Sequence, residues 1–198
     1  FRDFMQMSDL VESFKFPHVD YEPIVVPTKQ QLRRFYDALK TQQERTLFLL
    51  YASSGLRRNE ALTLTVNDLD FKRYMVIPRV GRNKRGSKTK CDWVTFYNDE
   101  TAELLDGLEY NDQGLFEIPS STLAWRWSQI SKQTSIHISP TVLREWFCSE
   151  MGELGVPDRY IDAFCGRVPK SVLARHYTDY SPERLKRIYD RANLKVLS

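Results

Sequence analysis

Two periods alternate along this chain, and the points where one gives way to the other outline its elements. Thr28 can cap a helix that carries Leu32, Phe35, Tyr36 and Leu39. A second helix is predicted over 43–53, with Leu47, Leu50 and Tyr51 on its apolar face and a stop at Gly55. A third, short one follows Arg57 over 60–64. The period then switches to two: 74–80 and 92–97 read as strands flanking a basic turn around Arg85-Gly86-Ser87. Asp99 is placed to cap a helix over Ala102, Leu105 and Leu108, and 115–118 reads as a short strand. Helices are predicted over 122–133, 140–154, 157–164, 169–177 and 182–192. Several open on a proline, whose missing N–H is no loss in a first turn. The expected fold class is α+β, mostly helical with one small antiparallel sheet. Upstream, Pro17, Pro23 and Pro27 punctuate a short helix around 7–14 and an extended linker. Residues 1–25 are therefore expected to be a linker and the end of a preceding segment, and 26–198 one domain.

Composition narrows the picture modestly. The 198 residues are 41% hydrophobic, enough for a sizeable core, and no apolar run approaches a membrane span. No signal peptide is legible, and a start at Phe1 rather than Met fits a piece of a longer protein. Cys91, Cys148 and Cys165 are odd in number and lack metal-ligand spacing. They are expected to be buried small apolar residues in a reducing compartment, which points to the cytoplasm. The formal net charge of +3 says little, but its distribution says more. Arg79, Arg82, Lys84, Arg85, Lys88 and Lys90 follow one another with no acid among them. Such a run is ordinarily a solvated loop. Contact with nucleic acid is the alternative, since clustered cations gain affinity by releasing phosphate counterions.

Candidate chemistry enters with four residues. Arg57 sits in a glycine-broken junction between two helices, where a guanidinium can fork onto two phosphate oxygens. Taken alone it reads as a salt bridge to Glu60 or a helix cap; Glu60 in turn reads as a first-turn acid or as the group that holds Arg57. Arg144 lies early in a helix opening at Ser139-Pro140, with Trp146 and Phe147 as core; a lone arginine there would be solvated. Arg167 follows Gly166, and Tyr177 ends a short helix, where a tyrosine is more often core than catalyst.

The order of these segments changes their weight. From Val26 to about Ala192 the chain resembles the catalytic domain of the tyrosine recombinase (phage integrase) family. Ser54-Gly55-Leu56-Arg57-Arg58-Asn59-Glu60 is similar to its first arginine box, and the basic hairpin to its lysine-bearing β-turn. Ile138-Ser139-Pro140-Thr141-Val142-Leu143-Arg144 is similar to the second box, Cys165-Gly166-Arg167 takes the place of the usual Gly-His, and Tyr177 falls where the nucleophile belongs. Three departures stand out: Thr141 where His or Lys is usual, Glu145 where His follows the second arginine, and Arg167 itself. They resemble the integrases of archaeal spindle-shaped viruses and related plasmids.

The resemblance implies a metal-free phosphoryl transfer with no cofactor. Tyr177 would attack a DNA phosphate, giving a 3′-phosphotyrosine and a free 5′-hydroxyl. Arg57, Arg144 and Arg167 would neutralise the non-bridging oxygens. Lys88 would protonate the leaving oxygen, with Lys84 and Lys90 as alternatives, while Glu60 and Thr141 support and Arg79, Arg82 and Arg85 bind DNA. The implied partners are double-stranded attachment sites and other copies of the chain, as a tetramer on DNA, without a membrane. Two rivals remain: a type IB topoisomerase activity, and a DNA-binding module that has lost catalysis.

Overall fold

The computed structural model describes residues 25–78, 93–108, 114–167, 171–172 and 176–198. Its helices are α1 (Lys29–Ala38), α2 (Gln42–Ser54), α3 (Arg58–Leu62), α4 (Asp99–Asp106), α5 (Ser120–Thr134), α6 (Pro140–Glu153), α7 (Asp158–Phe164) and α8 (Pro182–Ala192). Three short strands, β1 (Leu69–Asp70), β2 (Met75–Val76) and β3 (Thr95–Phe96), form an antiparallel sheet in that order. Met75 faces Phe96 and Val76 faces Thr95. The expected class, helical with a small antiparallel sheet, is what the structure contains.

Helix α2 is the axis of the fold. Thr41 caps its start by accepting from the Glu44 N–H, and the Glu44 carboxylate accepts from the Thr41 N–H in return, a capping box. Its expected apolar face, Leu47, Leu50 and Tyr51, is too narrow. Thr46, Phe48, Leu49, Ala52, Ser53 and Ser54 are buried as well, so the helix is enclosed on all sides. Its main neighbours are α6 and α4. Phe35 of α1 and Phe48 of α2 stack at 5.9 Å, and Trp127 of α5 meets both rings edge-on or tilted within 6.0 Å. A second aromatic group, Phe96, Phe164 and Tyr189, joins β3, α7 and α8. Enclosing a helix requires its polar groups to be satisfied from within. Thr46 Oγ1 donates back to the Gln42 carbonyl at 2.9 Å, and the Ser53 and Thr101 hydroxyls bond at 2.9 Å.

Several expectations need correction. The cap of α4 is Asn98, whose side chain accepts from the Thr101 N–H, and Asp99 is the first helical residue. Both are good caps, and Asn98 holds the position because its amide also reaches the Leu194 carbonyl. Residues 115–118 form no strand: the Leu115 N–H donates to Leu64 and Glu117 N–H to the Gln43 side chain, so no ladder runs along them. The strands around the basic turn are two residues each among the described residues. The edge strand β1 has no periodicity to announce it. The helix expected over 7–14 and most of the one expected over 169–177 lie outside the described residues.

Candidate active site

The C-terminal end of α2 is where the candidate site is assembled. A helix leaves its last carbonyls without intrahelical partners. Here three successive ones are each taken by a side chain from a different element. Tyr189 of α8 donates to the Ser53 carbonyl at 2.7 Å, and Thr95 of β3 donates to the Ser54 carbonyl at 2.7 Å. Arg144 of α6 donates through Nη1 to the Gly55 carbonyl. Gly55 ends the helix in the left-handed region, with φ 66°, and there is no room for a side chain. A Cβ there would lie 2.6 Å from Phe147 Cδ1 and 3.1 Å from Cys165 Sγ. The chain reverses against α6 and α7 and emerges at Arg57.

Arg57 is the N-cap residue of α3. Its backbone N–H and its Nη1 both donate to Glu60, each at 2.7 Å. Glu60 is buried, with 6% of its surface exposed, whereas the Arg57 side chain is 43% exposed. The buried acid therefore holds one terminal nitrogen of a guanidinium whose side chain is partly exposed. Tyr51 fixes the same turn from below by donating to the Arg58 carbonyl at 3.0 Å.

Arg144 is buried, contrary to the solvated position expected for a lone arginine. Its Nη2 donates to the Cys165 carbonyl at 2.8 Å, so one guanidinium ties the Gly55 turn to the end of α7. Burial lowers its pKa from the ordinary arginine value, and the positive charges of Arg57 and Arg167 act in the same direction, opposed by Cys165 and Glu60. Those mutual effects place Arg57, Glu60, Arg144 and Arg167 in one electrostatic neighbourhood.

Arg167 follows the left-handed Gly166, at φ 60°, whose missing side chain leaves space for the Trp93 indole; a Cβ there would sit 2.5 Å from Trp93 Cε2. Trp93 thus ties the chain entering β3 to the turn that carries Arg167. Arg167 Nη1 donates to Asp162 Oδ1 at 3.0 Å, and its Nη2 lies 3.7 Å from Cys148 Sγ. Burial works against its charge, but Asp162 and the two nearby cysteines raise its pKa overall.

The remaining candidates are less gathered. Thr141, exposed in the first turn of α6, lies three residues before Arg144, on the same side of the helix. Tyr177 is not core: it is 78% exposed, and no hydrogen bond links it to the arginines among the described residues. Arg79, Arg82, Lys84, Arg85, Lys88 and Lys90 lie outside the described residues; the chain leaves at the end of β2 and returns before β3. Among the described residues no three His, Cys, Asp or Glu side chains gather as a metal site, and no helix is long and apolar enough to cross a membrane. The sequence reading missed the contact between Cys148 and Cys165. It also missed the carbonyl ladder, for which no local signal exists.

Residues 24–191 match the model of a family described as archaeal phage integrase. The tyrosine recombinase XerA of Saccharolobus solfataricus is 28% identical over 137 residues, covering 67% of this chain and 45% of that protein. XerA of Thermococcus onnurineus is 25% identical over 180 residues, covering 84% of this chain and 62% of that protein. The chain therefore spans about half to three-fifths of these relatives. Among solved structures, an XerA recombinase superposes with a TM-score of 0.63 at 18% identity, covering 91% of this chain and 68% of that one. The integrase of mycobacterium phage Brujita gives 0.69 at 15% identity, covering 92% and 62%. The integrase of transposon Tn1549, in complex with circular intermediate DNA, gives 0.61 at 16% identity, covering 87% and 68%.

Proposed function

This chain belongs to the archaeal phage integrase family of tyrosine recombinases, and we propose that it is the catalytic part of a site-specific recombinase that integrates or excises mobile-element DNA. Its substrate is a pair of double-stranded attachment sites, its working form a tetramer on that DNA, and its place the cytoplasm of the host cell. Tyr177 attacks the scissile phosphorus, forming a 3′-phosphotyrosine bond and releasing a 5′-hydroxyl. A 5′-hydroxyl from another strand then reverses the step, so the bond energy is kept in the phosphotyrosine and no nucleotide is consumed.

The arginines divide the work. Arg57 offers the remaining donors of its fork to the non-bridging oxygens while Glu60 holds Nη1. Arg144 gives two of its five N–H groups to carbonyls and directs the rest of the guanidinium toward the phosphate. In a site shielded from water, such fixed donors act most strongly where charge develops in the transition state. Arg167 adds a third cation where the family more often has histidine. Thr141 donates a hydroxyl to a phosphate oxygen, Lys88 protonates the leaving 5′-oxygen, and the other cations of the hairpin hold the flanking backbone.

The observation that carries this reading is the Arg144 guanidinium bridging the Gly55 and Cys165 carbonyls, because it draws together the turns that bear Arg57 and Arg167. The exposed Tyr177 agrees with it, since a nucleophile must reach a duplex. A nicked suicide substrate, which loses its short strand after cleavage, tests the reading by trapping a covalent adduct. Strand exchange between two sites is then expected. Plasmid relaxation without exchange would favour the topoisomerase alternative, and binding without any adduct would favour an inactive DNA-binding module.

A further inference from the structure

Cys148, in the third turn of α6, and Cys165, at the end of α7, stand with their sulfurs 3.4 Å apart. Both are free thiols. Cys165 is fully buried and Cys148 half-buried, so a small solute meets Cys148 first. Each is attached to a candidate arginine. Arg167 Nη2 lies 3.7 Å from Cys148 Sγ, and Arg144 Nη2 donates to the Cys165 carbonyl at 2.8 Å.

The pair is electronically unequal. A hydrogen bond from Cys165 pulls the Cys148 thiol down to about 7, against burial and with help from Arg167 and Arg144. The same bond, together with burial, pushes Cys165 up. The contact thus favours the thiolate on the outer sulfur and the thiol on the inner one. A thiolate within reach of solvent beside a second cysteine is the arrangement that oxidants select.

We propose that Cys148 and Cys165 form a reversible disulfide on exposure to hydrogen peroxide, and that this oxidation displaces Arg167 and Arg144 from the phosphate. The second half rests on the recombinase reading above. In the first step the Cys148 thiolate attacks one peroxide oxygen, the O–O bond breaks, and hydroxide leaves and is protonated to water, giving a sulfenic acid. In the second the Cys165 sulfur attacks the Cys148 sulfur, its proton and the departing hydroxide form water, and the S–S bond closes. Two thiols and one peroxide become one disulfide and two waters; the sulfurs lose two electrons and the peroxide gains them.

The consequences follow from the contacts. Bond formation draws the sulfurs from 3.4 Å to about 2.0 Å. It removes the negative charge beside Arg167. It also moves Cys165, whose carbonyl holds Arg144 and whose sulfur lies beside the Gly55 turn. A reductant restores both contacts.

The experiment uses the full chain carrying Cys91→Ser, which leaves Cys148 and Cys165 as the two remaining cysteines. Protein treated with hydrogen peroxide is alkylated under denaturing conditions, digested and examined by mass spectrometry, and in parallel assayed for cleavage of a suicide substrate. The expected result is a linked peptide pair containing Cys148 and Cys165. Cleavage is expected to slow by roughly a hundredfold, the scale of losing one fixed donor, and both changes should reverse with dithiothreitol. Cys148→Ser, which lacks the sulfur that peroxide meets first, should keep its own rate, whatever it is, across the peroxide treatment. No linked pair, or Cys148 oxidised to a sulfinic acid without linkage, would overturn the disulfide. A linked pair with unchanged cleavage, or equal peroxide sensitivity in Cys148→Ser, would overturn the coupling to the arginines. If the reduced protein cleaves nothing, the recombinase reading is what fails, and the linked peptide still decides the cysteine pair.

Discussion

Arg144 donates to the carbonyl of Cys165 at 2.8 Å while its other terminal nitrogen donates to Gly55, so one side chain from α6 closes the gap between two turns distant in sequence. This gives Arg144 a structural role beside the catalytic one proposed for it, and it separates Arg144 from Arg57. Arg144→Ala leaves two buried carbonyls without their donor and is expected to destabilise the fold by about 2–3 kcal/mol. Arg57→Ala removes one of the two Arg57 donors to the buried Glu60 carboxylate and should cost less, about 1 kcal/mol. Both should slow cleavage by a hundredfold or more, on the order expected for a fixed charge donor. Urea denaturation alongside single-turnover cleavage checks the split; an unchanged stability in Arg144→Ala would show that its bridge contributes little.

Glu60 should act through Arg57. Glu60→Ala removes the acceptor of both the Arg57 backbone N–H and Nη1. A loss of about 1 kcal/mol in stability is expected from the cap. A larger relative loss in cleavage rate is expected from the released guanidinium. Glu60→Gln keeps an acceptor oxygen and should recover part of the rate. Wild-type cleavage by Glu60→Ala would remove Glu60 from the account.

Gly55 tolerates no side chain. In Gly55→Ala the new methyl meets the Phe147 ring at 2.6 Å in a left-handed backbone. Left-handed strain and overpacking together should destabilise by about 2–4 kcal/mol. The measurement is the denaturation midpoint, and an unchanged midpoint would mean that the ring yields freely. Activity should fall too, because Arg57 lies two residues beyond this turn.

We propose Lys88 as the leaving-group acid because Ser87-Lys88-Thr89 resembles the lysine-threonine pattern of the family. A 5′-oxygen leaves poorly unless protonated, whereas a bridging sulfur needs no proton. Lys88→Ala should therefore cleave ordinary DNA about a hundredfold or more slowly and recover most of its rate on DNA with sulfur at the bridging position. Rescue in Lys84→Ala or Lys90→Ala instead would move the role to that residue.

Which parts of this molecule are readable from its sequence depends on the range of the forces involved. Thr28 and Gly55 are legible because capping and left-handed turns are settled within a few residues. The pairing of β2 with β3 is legible from alternation, but β1 is not, since Leu69 and Asp70 are too few to show a period. Asn98 and Asp99 are equally good caps, and the choice is made by Leu194, far along the chain. The arginines are legible as an ordered set through their family resemblance, and in the structure Arg144 joins the turn before Arg57 to the turn that bears Arg167. The burial of Arg144 is not legible, because its acceptors lie 89 and 21 residues away. Nor is the contact between Cys148 and Cys165, which two separate helices create.

The identity of the nucleophile is the centre of this account, and one measurement reaches it directly. Protein trapped on a suicide substrate is digested, and the peptide carrying the nucleotide is sequenced by mass spectrometry. The account predicts a 3′-phosphotyrosine on Tyr177, and in Tyr177→Phe the adduct vanishes while DNA binding persists. A nucleotide on Tyr180, or an adduct that survives Tyr177→Phe, would contradict it.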